Sequence, residues 1–349
     1  MSSDARGERL SETKSGTGSE TASEPVWKKW HDESRPVTLG VSACLLGAEV
    51  RFDGGHKRDR YLTDVLGENV TWLPVCPELE IGLGIPRPVI QLRGGERGDR
   101  LVLRDGSADL TDTMRDYADA RIAELDALGL DGYVLKKDSP SCGMARVRVH
   151  GAPGGMPQRT GVGHFVQALE RRMPLLPLEE EGRLNDPALR EGFIEAIFSR
   201  NRWRVLASRG FSRKGLVAFH EAHKMLLLAH DEGLYRRLGR IVGSFGQQPD
   251  EEIYRSYAPL FAAAFAQRAT VARHVNVLEH LFGYLKKRIS SVEKREIAAS
   301  IAEYRAGRIP LVVPISLLRF LVAAHDVEYV QGQLYLEPHP RELMLRNHV

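Results

Sequence analysis

Three cysteines, Cys44, Cys76 and Cys142, constrain this chain more than any other feature, because each stands just beyond a short apolar run. The runs, 37–43, 70–75 and 132–137, read as strands, the first of them buried. Between the second and third, 110–128 has helical spacing, with Met114, Tyr117, Ala118, Ile122 and Leu125 on one stripe. Asp109 or Thr111 is available as its cap, and Gly129 ends it. Further helices are expected at 161–172 and 186–202. Strands alternating with helices imply an α/β fold, a parallel sheet flanked by helices. In such sheets ligands bind beyond the carboxyl ends of the strands, which brings the three cysteine loops to one edge.

An odd number of cysteines, spaced 32 and 66 residues apart, does not fit the disulfide framework of a small secreted domain. The thiols are therefore expected to be reduced. The first residues are polar and carry no apolar stretch that would serve as a signal peptide, so a cytoplasmic location is expected. The most apolar stretch, 309–324, contains Pro310, Pro314 and Arg319. It falls short of the ~20 residues a membrane span needs, so no membrane partner is expected. No Cys-x-x-Cys pair of the kind zinc favours is present. Two readings of the thiols stay open: three unrelated core residues, or one thiolate each for three irons of a [4Fe-4S] cluster whose fourth iron has no protein ligand.

The length, 349 residues, suggests about two domains. Residues 1–35 are Ser-, Thr- and Glu-rich and expected to be disordered. Residues 36–205 form the α/β domain. From 206 to 349 the strand pattern gives way to amphipathic segments at about 212–229, 233–243, 250–267, 271–289, 292–306 and 314–325, an all-α domain. The last 24 residues read as a short strand pair or an irregular tail. Net charge is only +3, but it is unevenly spread. Residues 201–325 hold 20 Lys and Arg against 10 Asp and Glu, leaving 29 against 36 elsewhere. A field of that sign suits nucleic acid, and equally a helical surface rich in solvated arginine.

The flanks of the cysteines narrow the chemistry. They read Ser42-Ala43-Cys44-Leu45-Leu46-Gly47, then Val50-Arg51-Phe52-Asp53-Gly54-Gly55-His56-Lys57; Pro74-Val75-Cys76-Pro77-Glu78, then Gly84-Ile85-Pro86-Arg87-Pro88; and Ser139-Pro140-Ser141-Cys142-Gly143. With these motifs in this order, residues 37 to 190 resemble the thiouracil desulfidase family. The resemblance implies that Cys44, Cys76 and Cys142 bind three irons of a [4Fe-4S] cluster, whose fourth iron takes the thiocarbonyl sulfur. It implies that Ser139 is the essential serine and Glu78 the acidic residue, and that sulfide leaves without net redox.

Independently of the family, a soft thiocarbonyl sulfur binds iron well, and water attacking the polarised carbon needs a carboxylate to accept its proton. Glu78 lies two residues beyond a cysteine, and its structural alternative is to pair with Arg87. Asp53 is a second candidate, although Asp53-Gly54 is also a turn signal. Ser42, Arg51, His56, Lys57 and Arg87 are candidate substrate contacts, with His56 alternatively a fourth ligand that would close the cluster.

Residues 210 to 325 resemble the helical domain of unknown function often fused behind this module, through Phe219-His220-Glu221-Ala222-His223-Lys224, Ala229-His230-Asp231 and Tyr235. His223 and His230 are seven apart and read as packed helix residues or as metal or catalytic groups. Arg202, Arg204, Arg209, Arg213, Lys214, Arg236, Arg237, Arg240, Lys286, Lys287 and Arg288 fall near helix ends, where they can clamp phosphates. The resemblance to such fused proteins implies a desulfidase of 4-thiouridine in transfer RNA, and with the basic charge this is the leading expectation. The alternatives are a desulfidase of free thiolated bases or nucleosides, and a non-catalytic iron–sulfur sensor that binds RNA.

Overall fold

The computed structural model describes residues 25–96, 98–151 and 155–349. In chain order its first part contains β1 (Thr38–Ser42), α1 (Arg60–Asp64), β2 (Thr71–Val75), α2 (Pro77–Glu80), β3 (Ile90–Arg93) and β4 (Arg100–Leu103). There follow α3 (Thr111–Leu128), β5 (Gly132–Leu135), β6 (Val147–His150), β7 (Gln158–Gly161), α4 (His164–Arg172) and β8 (Leu178–Glu180).

The expected parallel sheet is present, in the order β2-β1-β5-β8, with every pair parallel. Its centre is covered on both faces: Leu39, Val41, Tyr133, Val134 and Leu135 are all fully buried. At Gly40 there is no room for a side chain, because a Cβ would stand 2.1 Å from the Tyr133 ring. A second sheet, β4-β3-β6-β7, was not expected. Its central pair, β3 and β6, is parallel and joins segments far apart in sequence, with Leu92 opposite Val149 and an antiparallel neighbour on each side.

Helices make up most of the remainder: α5 (Pro187–Ser208), α6 (Arg213–His230), α7 (Glu232–Gly243), α8 (Asp250–Phe265), α9 (Val271–Leu285), α10 (Ser291–Arg305), α11 (Val312–Ala324) and α12 (Glu328–Gln331). Their starts carry the expected caps. Ser212, Asp231 and Thr270 accept from the next turn's backbone, and Ser290 and Glu293 form a capping box.

Three expectations about organisation change. The division expected between 205 and 206 falls inside a helix, because α5 runs to Ser208 and serves both cores. Its Phe193, Ile194, Ile197 and Phe198 pack under the parallel sheet, while Ala196, Trp203 and Leu206 join the helical core. The tail is not a strand pair. It forms single turns at Leu334–Leu336, Arg341–Leu343 and Leu345–Asn347, and Leu343 and Leu345 return to the core of the first part. Of the segment 1–35, residues 1–24 lie outside the described residues. Val26–Trp30 form a 3-10 turn, with the Trp30 ring packed against Phe219 and His223.

Candidate functional site

The order β2-β1-β5-β8 makes β1 a switch point: the chain leaves it for β2 on one side and later returns to β5 on the other. Open parallel sheets form their ligand crevice at such points. Here a cavity of about 530 Å³ opens there, lined by Cys44, Cys76 and Cys142.

Each cysteine is placed by a turn its neighbours dictate. Cys44 lies in a 3-10 turn directly after β1, closed by Gly47 at φ 97°. Cys76 is the N-cap of α2, with Pro77 filling the first helical position, where no backbone N–H is needed. Cys142 lies in a turn closed by Gly143 N–H donating to Ser139 O at 2.8 Å. A Cβ on Gly163 would stand 2.3 Å from Ser141 O, so the chain passes bare backbone against this loop.

Beside the thiols, Glu78 gathers four donor contacts. Arg87 Nε and Nη2 donate to Oε2 at 3.0 and 2.6 Å, and Ser141 Oγ donates to Oε1 at 2.7 Å, with Ser139 Oγ at 3.4 Å. Ser139 Oγ also accepts from the backbone N–H of Cys142 at 3.1 Å, tying the carboxylate to the third cysteine loop. The remaining donor group of Arg87 is occupied by Val50 O and Gly84 O. Arg87 is therefore a buried clamp on Glu78 and not the free anion contact its sequence position suggests.

Burial pushes the Cys44 thiol up to about 11, the Cys142 thiol up to about 12, and raises Cys76 in the same direction. Three sheltered thiols around one space fit a soft metal centre, whose charge would hold them as thiolates. Among the described residues, no three His, Cys, Asp or Glu side chains converge to hold a single ion.

Of the other expected residues, Ser42, Arg51, Lys57, Glu78, Arg87 and Ser139 line the cavity. Ser42 Oγ accepts from Lys136 N–H at 3.0 Å and is buried. Asp53 and His56 do not reach the wall. Asp53 closes its turn by accepting from Gly55 N–H at 3.1 Å, and His56 Nδ1 accepts from Arg58 N–H at 3.1 Å. As placed, Asp53 is a turn residue and His56 no fourth ligand. Sequence reasoning missed Ser141, although it lies within the Ser-Pro-Ser-Cys run. It also missed Gln91, Arg104, Arg148 and His150, which reach the cavity from the unforeseen second sheet or from just beyond it.

In the helical half His223 and His230 are fully buried. His223 Nδ1 bonds Phe219 O at 2.7 Å and its Nε2 accepts from Arg202 Nε, while His230 Nε2 meets Glu195 Oε2 at 2.7 Å. Both are interior residues. Arg202 is itself buried, donating to Pro338 O and Ser199 Oγ, and Arg204 and Arg213 pair with Asp131 and Asp250. Arg202, and Arg204 on the fully buried Asp131, leave the set that can meet phosphate, whereas Arg213 and its partner are exposed.

Comparison with known proteins matches residues 39–181 to the 2-thiouracil desulfurase family and residues 224–340 to DUF1722, a protein family of unknown function. The uncharacterized protein YbgA of Escherichia coli K12 is 32% identical over 152 residues, 43% of this chain and 90% of that one. The uncharacterized protein YbbK of Bacillus subtilis 168 is 30% identical over 108 residues, 30% of this chain and 71% of that one. Among solved structures, the [4Fe-4S]-dependent thiouracil desulfidase TudS is 33% identical, with 44% of this chain and 97% of that chain covered at a TM-score of 0.37. No helix among the described residues is long and apolar enough to cross a membrane.

Proposed function

Residues 39–181 of this chain belong to the 2-thiouracil desulfurase family, and from that premise we propose that the chain converts 4-thiouridine in transfer RNA to uridine, cleaving a C–S bond, with a [4Fe-4S] cluster held by Cys44, Cys76 and Cys142. When bound, such a cluster supplies an iron without a protein ligand, a Lewis acid for a soft thiocarbonyl sulfur.

The chain's own residues supply the rest. Glu78 Oε1 takes the proton of a water approaching the thiocarbonyl carbon, and the Ser141 and Ser139 hydroxyls aim that oxygen. Arg87 fixes the other oxygen, so the carboxylate does not rotate away. Arg51, Lys57, Arg104 and Arg148 give the wall a positive field for an anionic substrate. Water supplies the new oxygen and sulfur leaves as sulfide, so no electrons are exchanged.

The observation that carries the RNA substrate is the basic helical half, 20 Lys and Arg against 10 Asp and Glu over residues 201–325, a field that a free base does not need. The test uses full-length protein reconstituted anaerobically and incubated with thiolated transfer RNA, in parallel with free thiouracil and 4-thiouridine. Sulfide release with loss of the thiolated base's absorbance, faster on transfer RNA, is expected. Unchanged absorbance on transfer RNA, with turnover of the free compounds, overturns the RNA reading and leaves the desulfidase.

A further inference from the structure

Away from the cysteine cavity, α6 and α7 form the walls of an open groove of about 580 Å³. Gly239 and Gly243, one turn apart on α7, leave part of it as bare backbone. A Cβ on the first would meet His220 Nε2 at 3.7 Å, and one on the second would meet nothing. Lys224, Arg236 and Arg240 line this groove against one carboxylate, Glu221. Among the described residues neither Lys224 nor Arg240 has a salt-bridge or hydrogen-bond partner for its side chain. Arg236 pairs only with Glu232, an exposed i,i+4 pair that a phosphate readily displaces.

Aromatic rings are set among these cations. Tyr235 lines the groove with its ring 7° from the plane of His220, centroids 6.3 Å apart. Gln333 Nε2 donates to the carbonyls of both Glu221 and Tyr329, which brings α12 to the rim. Tyr329 lies against Tyr284 of α9, rings 4.9 Å apart, and Tyr284 is 45% exposed. Exposed Lys286 and Lys287 follow it.

We infer that this groove binds an unpaired RNA segment, with Lys224, Arg236 and Arg240 on its phosphates and Tyr235, Tyr329 and Tyr284 presenting faces to its bases. Cations tracking a backbone and rings that stack any base are how single strands are held without sequence readout. Duplex RNA, read by shape and phosphate, would leave the rings without a role. The inference rests on the RNA-substrate reading above and names the surface that would bring that substrate in.

The experiment measures fluorescence anisotropy of unmodified transfer RNA titrated with cluster-loaded, full-length protein at several salt concentrations. K224A/R240A is expected to raise Kd at least tenfold and to make the log–log salt slope shallower by about 1.4. Tyr284→Ala is expected to weaken binding of a single-stranded oligonucleotide several-fold with the slope unchanged. K294A/R295A on α10 makes the same charge change elsewhere and is the control. If the wild type binds and K224A/R240A binds with equal affinity and slope, or no more weakly than the control pair, the groove is wrong and the RNA reading stands. If the wild type itself does not bind transfer RNA at 0.15 M salt, both fall.

Discussion

Glu78 shows how much of the site a single residue carries. Its two oxygens meet Arg87 on one side and Ser141 and Ser139 on the other, so the carboxylate is fixed from both sides, and the proposed role as acceptor of the water's proton can be tested on it. Glu78→Gln is expected to slow desulfuration by ~10²–10⁴ with iron content retained. A variant that turns over at the wild-type rate would remove Glu78 from the chemistry. Ser141→Ala leaves Oε1 only the 3.4 Å contact from Ser139, and a lost hydrogen bond to a charged group predicts a fall of about ten- to a hundredfold in kcat. Cys44→Ser, Cys76→Ser and Cys142→Ser are each expected to purify with less iron per chain, and a full complement in any one would exclude that residue as a ligand. The cysteines and the Ser139 and Glu78 motifs were legible in the sequence because each is a local run whose turn is set by adjacent glycine or proline. Asp53 and His56 lie in an equally suggestive run, yet their side chains are taken up by backbone N–H groups two residues on.

At the level of elements, β1 and β5 were readable because burial on both faces demands continuous apolar runs, and β2, an edge strand with Thr71 and Pro74 exposed, through its apolar Trp72, Leu73 and Val75. The second sheet was not. Its strands are four residues long, carry Arg93, Arg100, Arg148 and Arg159, and form two local antiparallel pairs that are joined only by β3 meeting β6 across a long stretch of chain. Nothing in the local pattern distinguishes such segments from loops, yet they bring Gln91 and Arg148 to the cavity. The parallel sheet can be tested at Gly40. Gly40→Ala forces a Cβ into the Tyr133 ring, and overpacking of this kind predicts a loss of about 1–3 kcal/mol. Gly40→Ala combined with Tyr133→Leu should recover part of it by thermal denaturation. Additive losses in the double variant would mean the contact is not the cause.

For the whole molecule the decisive feature is how the two halves are joined. Helix α5 belongs to both cores, and the tail returns so that Arg346 pairs with Glu191 and Glu195 on it. Arg346→Ala leaves the buried Glu191 without its partner and Glu195 with His230 alone, and is expected to cost about 3–5 kcal/mol in chemical denaturation. A truncation near residue 205, which the sequence pattern invites, would cut α5 and remove Leu343 and Leu345 from the first core, so substrate comparisons belong on the full chain. Acid should act on the helical half. Burial lowers His220 to about 4, His274 to about 3 and His339 to about 4, so each favours the folded state most above the unfolded value near 6.5. That contribution fades as pH falls from 6.5 toward 4. His274→Gln should make the stability slope shallower by about 1.4 kcal/mol per pH unit, one proton's worth, and an unchanged slope would count against the burial argument. The sequence by itself determined the helices, the parallel strands and the three cysteine loops, because periodicity, caps and turn residues act over a few neighbours. The tertiary structure alone decided the second sheet, the shared helix, the clamp of Arg87 on Glu78 and the burial of Arg202. Each depends on which distant segments pack together, and that is settled by shape and by the pairing of buried charge.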